Sequence, residues 1–135
     1  MQQIKWTEKF SVGVSKFDEQ HKKLIGIFNQ LDENFSGTFD KELTTNTLAE
    51  MTVYAWTHFQ EEERLMKEFG YPDYEGHKKQ HSAYQERVES FCIADLHQEG
   101  NLPNQLISFL RGWWMHHILE EDMKYKNFFN EKGLQ

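Results

Sequence analysis

HFQEEERLMKEFGYPDYEGHKKQH, the stretch from His58 to His81, carries two polar pairs on either side of a chain break. The break is Gly70-Tyr71-Pro72-Asp73. Glycine can take the left-handed conformation that ends a helix, proline cannot continue one, and aspartate is suited to cap the next. His58 and Glu62 stand four residues apart before the break, and His77 and His81 four apart after it. On a helix, positions i and i+4 share one face, so each pair projects toward one point. Two helices joined by so short a turn run antiparallel. The stretch therefore predicts a helical hairpin with a polar pair on each arm at a similar level.

Working outward, Ser36-Gly37 and Gly100-Asn101-Leu102-Pro103 are the other strong breaks. Between breaks the apolar residues recur at helical spacing: Leu24, Ile25, Phe28, Leu31 and Phe35; Leu48, Met51 and Ala55; Tyr84, Val88 and Phe91; Leu106, Leu110 and Trp113. The pattern predicts an all-α protein, an up-down-up-down antiparallel four-helix bundle with helices near 18–36, 41–69, 74–98 and 103–131. Asp18, Asp40 and Asp73 are the expected N-caps, Pro103 the first residue of the fourth helix, and Gly37, Gly70, Gly100 and Gly133 the stops. An N-terminal arm, residues 1–17, is expected to lay Trp6, Phe10, Val12 and Val14 across the flank of the bundle. Gly26 and Gly112 fall inside helices, which marks either close helix contact or a tolerated glycine.

The chain has 135 residues, enough for the single domain (1–135) this pattern describes. Eleven Phe and four Trp supply large core side chains although only 38% of residues are hydrophobic. The formal charge of −7 leaves no basic stripe for phosphates or anionic lipid, so nucleic acid and membrane surfaces are not expected partners. No apolar run is long enough to span a bilayer, and the first residues lack the apolar stretch of a signal peptide, which gives a cytoplasmic expectation. Cys92 is the only cysteine. Any metal must therefore be held by nitrogen and oxygen.

Five of the seven histidines, His21, His58, His77, His81 and His117, interrupt faces that should be apolar. A lone histidine there is ordinarily a hydrogen-bonded core residue; five together need a common cause. In an up-down-up-down bundle the start of the first helix, the end of the second, the start of the third and the end of the fourth share one end. At about 1.5 Å per residue His21 lies ~5 Å from that end, Glu62 and His58 ~10–17 Å, His77 and His81 ~5–11 Å, and Asp122 and His117 ~13–21 Å. They overlap in one layer, where donors from facing helices can build a metal site. Imidazole and carboxylate without thiolate suit iron, zinc, manganese or copper. Five histidines and two carboxylates exceed one ion's need, and a pair of six-coordinate ions sharing an oxo or hydroxo bridge would leave one position open.

Across nearly its full length the chain resembles the bacterial hemerythrins. The resemblance rests on Trp6 with Val12-Gly13, Asp18-Glu19-Gln20-His21, His58-Phe59-Gln60-Glu61-Glu62, Tyr71-Pro72 with His77 and His81, and His117-Ile118 with Asp122 and Tyr125. It implies two iron ions, cycling between ferrous and ferric states and joined by an oxo or hydroxo bridge. His77, His81 and His117 would bind one, His21 and His58 the other, and Glu62 and Asp122 would bridge them. It also implies reversible binding of dioxygen at the two-histidine iron, for storage, delivery or sensing, rather than catalysis. Whether a protein partner receives the oxygen is not legible. His117 and Asp122 are five apart, about 140° around an ideal helix, where Glu121 would be the better i+4 partner. A local π-type widening would bring Asp122 to the right face. Trp114 stands where the family usually carries a leucine lining the oxygen pocket; Ile25, Phe59 and Ile118 complete the expected wall. His97 and His116 match no ligand position. The competing readings are a di-iron enzyme acting on oxygen, peroxide or nitric oxide, an iron-buffering bundle, and a zinc hydrolase. Ferritin-like enzymes draw ligands from Glu-x-x-His pairs, and the chain contains no such pair.

Overall fold

A computed structural model describes residues 4–36, 41–96 and 102–135. Its helices are α1 (Ser15–Ser36), α2 (Lys41–Phe69), α3 (Tyr74–Leu96) and α4 (Leu102–His116); α4 runs through a π-helical segment, His117–Asp122, into α5 (Met123–Glu131). α1 packs on α2, α2 on α3, α3 on α4, and α4 on α1, so the four rods close a square. This is the antiparallel four-helix bundle with an N-terminal arm. Among the described residues no helix is long and apolar enough to cross a membrane.

The helix ends show local chemistry at work. At the hairpin, Gly70 takes φ +76° and the Tyr71 N–H reaches back to the Met66 carbonyl at 2.8 Å. That left-handed stop closes α2, and α3 opens directly after Asp73. Gly133 (φ +86°) ends α5 in the same way, with the Leu134 N–H bonded to the Phe129 carbonyl at 2.9 Å. The first helix differs from the sequence expectation, because α1 begins at Ser15 and Asp18 lies inside it. Asp18 still acts on the helix start: its carboxylate accepts from the Val12 N–H at 2.8 Å and the Ser11 hydroxyl at 2.6 Å. An aspartate one turn in can thus fix the entering chain without being the cap. In α4 Pro103 is the second residue, behind Leu102. Asp40, Gly37, Gly100 and His97 lie outside the described residues.

The arm lies on the bundle and is clipped at both ends. Asn29 of α1 accepts from the Ile4 N–H (3.0 Å) and donates to the Ile4 carbonyl (2.9 Å). Asn130 of α5 donates to the Gly13 carbonyl at 2.8 Å. Phe10, Val12 and Val14 are buried, and Trp6 is half-buried beneath the Lys22 ammonium. Gly26 and Gly112 do not mark close helix contact, since a Cβ at either would meet nothing within 4 Å.

The apolar interior falls into two clusters. One fills the bundle from Leu31, Leu48 and Leu106 up to Phe59, Trp114 and Ile118. The other, around Phe17, Met66, Tyr71, Tyr125 and Phe129, plugs the end at which the arm enters. Between them lies a layer of buried polar side chains.

Candidate metal centre

That layer consists of His21, His58, Glu62, His77, His81, His117 and Asp122, each no more than 1% exposed. Each of the four rods contributes: α1 gives His21, α2 His58 and Glu62, α3 His77 and His81, and the π segment His117 and Asp122. The π segment settles the rotational problem posed by the five-residue spacing. Its wider turn buries both His117 and Asp122 and leaves Glu121 half-buried outside the cluster, beside Lys124 at 3.0 Å. Asp122, not Glu121, faces the core.

Each carboxylate divides its two oxygens between two groups of histidines. Glu62 Oε2 lies 3.2 Å from His58 Nε2 and 3.7 Å from His21 Nε2; its Oε1 lies 3.2 Å from His81 Nε2 and 3.5 Å from His77 Nε2. Asp122 Oδ2 lies 3.1 Å from His21 Nε2; its Oδ1 lies 2.9 Å from His77 Nε2 and 3.0 Å from His117 Nε2. Two overlapping donor sets result, Glu62 with His77, His81 and His117, and Glu62 and Asp122 with His21 and His58. Within each set the donor atoms all lie within 4.8 Å of one another.

The residues fit metal ions by two further observations. First, His21 Nδ1, His77 Nε2, Glu62 Oε1 and both Asp122 oxygens are buried without a hydrogen-bond partner. Apart from His21 Nδ1, these atoms face only the other donors of the cluster, at 2.9–3.5 Å, an arrangement of converging lone pairs that a cation would satisfy. Second, His21 and His58 bring their Nε2 atoms to 3.0 Å, and His81 and His117 bring theirs to 3.1 Å. Two imidazole nitrogens bound at right angles to one ion, each at about 2.1 Å, stand about 3.0 Å apart.

Three of the five outward ring nitrogens are tied to neighbouring helices. Gln20 Oε1 lies 2.5 Å from His58 Nδ1, Glu63 Oε2 2.8 Å from His81 Nδ1, and Gln80 Oε1 3.1 Å from His117 Nδ1. An acceptor at Nδ1 selects the tautomer protonated there, which leaves the inward Nε2 lone pair free for an ion. The Tyr125 hydroxyl donates to Glu62 Oε2 at 2.6 Å and fixes that carboxylate. Sequence reasoning assigned none of these roles. A signal was present, since Gln20, Glu63 and Gln80 each adjoin an inward donor and so share its level.

Electrostatics agree with a site built for cations. Glu62 and Asp122 are fully buried, yet the surrounding histidines hold both carboxyls well below their ordinary range despite burial, which acts the other way. Burial lowers the His21 and His77 pKa values, but the Asp122 and Glu62 carboxylates outweigh it and push them up to about 9 and about 10. Burial dominates at His58 and His117, whose values fall. Without metal, the raised His21 and His77 values favour a proton on each side of the carboxylate pair.

Of the expected pocket wall, Phe59 and Ile118 are fully buried, Trp114 is 3% and Ile25 6% exposed. Phe59 stacks on His81 with ring centroids 3.9 Å apart, and Trp114 stands 6.4 Å from both His58 and His117. The Trp114 indole N–H donates to the Tyr84 hydroxyl at 3.1 Å. Trp113, outside that wall, stacks on His117 at 4.3 Å. His116 is exposed, 3.7 Å from Glu121.

A helical bundle with nitrogen and oxygen donors converging in its core belongs to the cation-binding class of such bundles. The profile of the hemerythrin HHE cation binding domain matches residues 12–129, and the chain belongs to the hemerythrin family. It is 31% identical over 126 residues to a bacteriohemerythrin of Clostridium acetobutylicum, covering 89% of this chain and 96% of that one. It is also 31% identical to a hemerythrin-like protein of Naegleria gruberi, covering 90% of this chain and 89% of the relative. Among solved structures, the crystal structure of a wild-type hemerythrin superposes with TM-score 0.83 at 26% identity, covering 92% of this chain and 95% of the other.

Proposed function

We propose that the chain binds dioxygen reversibly at a pair of iron ions, with His77, His81 and His117 holding one ion, His21 and His58 the other, and Glu62 and Asp122 bridging. The observation that carries this reading is the division of each carboxylate's two oxygens between a three-histidine and a two-histidine group. With unequal histidine counts, an ion held by His21 and His58 would have one protein donor fewer than its neighbour and could take a small ligand in its place. A ferrous pair held by these residues would supply the electrons needed to hold dioxygen.

The chain's own residues set the conditions. Gln20, Glu63 and Gln80 orient three imidazoles from outside, and Tyr125 holds Glu62 in place, so the donors are aligned before any ion arrives. Phe59, Trp114, Ile118 and Ile25 form the apolar wall of the pocket. An apolar wall excludes water and gives no solvation to a departing anion, so it favours release of neutral dioxygen over release of reduced oxygen. Storage, delivery and sensing all draw on this same equilibrium. The test is anaerobic loading with ferrous iron followed by cycles of air and degassing. Oxygen uptake that is stoichiometric and reversible supports binding; continuous oxygen consumption with a reductant present points instead to a di-iron oxidase.

A further inference from the structure

The outer contacts of the two donor sets are unequal in charge. On the three-histidine side the His81 Nδ1 meets a carboxylate, Glu63, at 2.8 Å, with the Glu63 side chain only 12% exposed. On the same side His117 meets the Gln80 amide oxygen, and Gln80 in turn hydrogen-bonds the Glu121 carboxylate. On the two-histidine side His58 meets only a neutral amide, Gln20, and the His21 Nδ1 has no hydrogen-bond partner. A carboxylate accepting from the far nitrogen of an imidazole makes the near nitrogen a stronger donor to a cation, an effect a neutral amide gives weakly.

We propose that Glu63 is a positioning residue that acts through His81 to make the three-histidine half the tighter metal site, so that the two ions load in order and the two-histidine half holds its ion weakly. The inference rests on the two-ion reading of the centre but not on what the ions later bind. Arg64, the nearest cation in sequence, is engaged by Glu61 at 2.6 Å and Glu68 at 3.2 Å. Glu121 stands one amide further out and is paired with Lys124. Among the described carboxylates outside the donor layer, Glu63 is thus the one in direct contact with a candidate ligand.

The experiment is anaerobic calorimetric titration of ferrous iron into the metal-free full-length protein. Wild type should bind in two resolved steps, and His58→Ala should remove the weaker one only. Glu63→Gln keeps shape and hydrogen bond but removes the charge, and should weaken the first step by about 10- to 100-fold while leaving the second. Gln20→Glu should tighten the second step by a similar factor and narrow the gap, a gain that misfolding cannot mimic. Two indistinguishable steps in wild type, equal weakening of both steps in Glu63→Gln, or no tightening in Gln20→Glu would overturn the proposal. Uptake of fewer than two ions by wild type would instead overturn the two-ion centre itself.

Discussion

Trp114 and Tyr84 form the one described hydrogen bond between large buried side chains in the wall above the donor layer, and it can be taken apart by a mutant cycle. Trp114 is 3% and Tyr84 1% exposed, their rings are 5.3 Å apart near a right angle, and the indole N–H donates to the hydroxyl at 3.1 Å. Trp114→Phe loses buried ring surface, about 1–2 kcal/mol, and strands the Tyr84 hydroxyl, about 1–3 kcal/mol more. Tyr84→Phe strands the indole N–H for a similar 1–3 kcal/mol. In the double variant neither polar group remains, so the cost should return to about 1–2 kcal/mol, a coupling of about 2–6 kcal/mol in magnitude, the sum of the two stranding penalties. Urea unfolding of the four metal-free proteins measures it, provided all four unfold in a two-state manner. Trp114→Ala goes further, leaving a void beside His58 and Phe59 at about 3–5 kcal/mol. If the ring limits access to the centre, this variant should also exchange oxygen and autoxidise faster than wild type. A coupling indistinguishable from zero would refute the energetic account, and unchanged oxygen rates in a destabilised Trp114→Ala would reduce the ring to packing.

Three other outcomes follow from the geometry. Asp122→Ala should abolish retention of two ions whereas Glu121→Ala should keep it, because the π segment turns Asp122 inward and Glu121 out; metal analysis after desalting decides, and equal loss in both would refute the register. Gly13→Ala should destabilise the protein by about 1–3 kcal/mol while leaving metal stoichiometry intact, since Gly13 sits at φ +73° and a Cβ would come within 2.9 Å of the Asn130 side chain. Metal-free protein should lose stability progressively as pH rises from about 6.5 toward 9 to 10, because over that window His21 and His77 keep in the fold protons that the unfolded chain has given up. It should lose stability again in acid as Glu62 and Asp122, held low in the fold, become protonated. Between these limits iron binding should release about two protons, one each from His21 and His77, readable as buffer-dependent heat or in weakly buffered solution. No proton release at pH 7.5 would contradict the protonation assigned to the empty cluster.

The bundle was legible in the sequence because four apolar stripes with the helical period, separated by glycine and proline breaks, admit few other packings. The shared level of the seven polar side chains followed from helix rise and antiparallel order alone. Their rotational fit did not. The spacing of His117 and Asp122 raised the question of a wider turn, but the π geometry becomes visible only in the backbone. The contacts of Gln20, Glu63 and Gln80 depend on how neighbouring helices are rotated about their axes, which a one-dimensional pattern does not specify. Asp18 was misplaced as a cap because capping chemistry fits an aspartate at the helix boundary and one reaching back from the first turn. For Gly26 and Gly112 the sequence left two readings open, since a glycine on an open helix face leaves the same mark as one at a tight crossing, and the structure has the open face.

The central claim is tested most directly by loading metal-free protein with ferrous iron under anaerobic conditions, measuring iron per chain, and then following the visible and near-ultraviolet spectrum through repeated exposure to air and degassing. The account predicts two irons per chain and an oxygen-dependent absorption band that vanishes on degassing and returns on each cycle. One iron per chain, a preference for zinc, or a band that never reverses would contradict it.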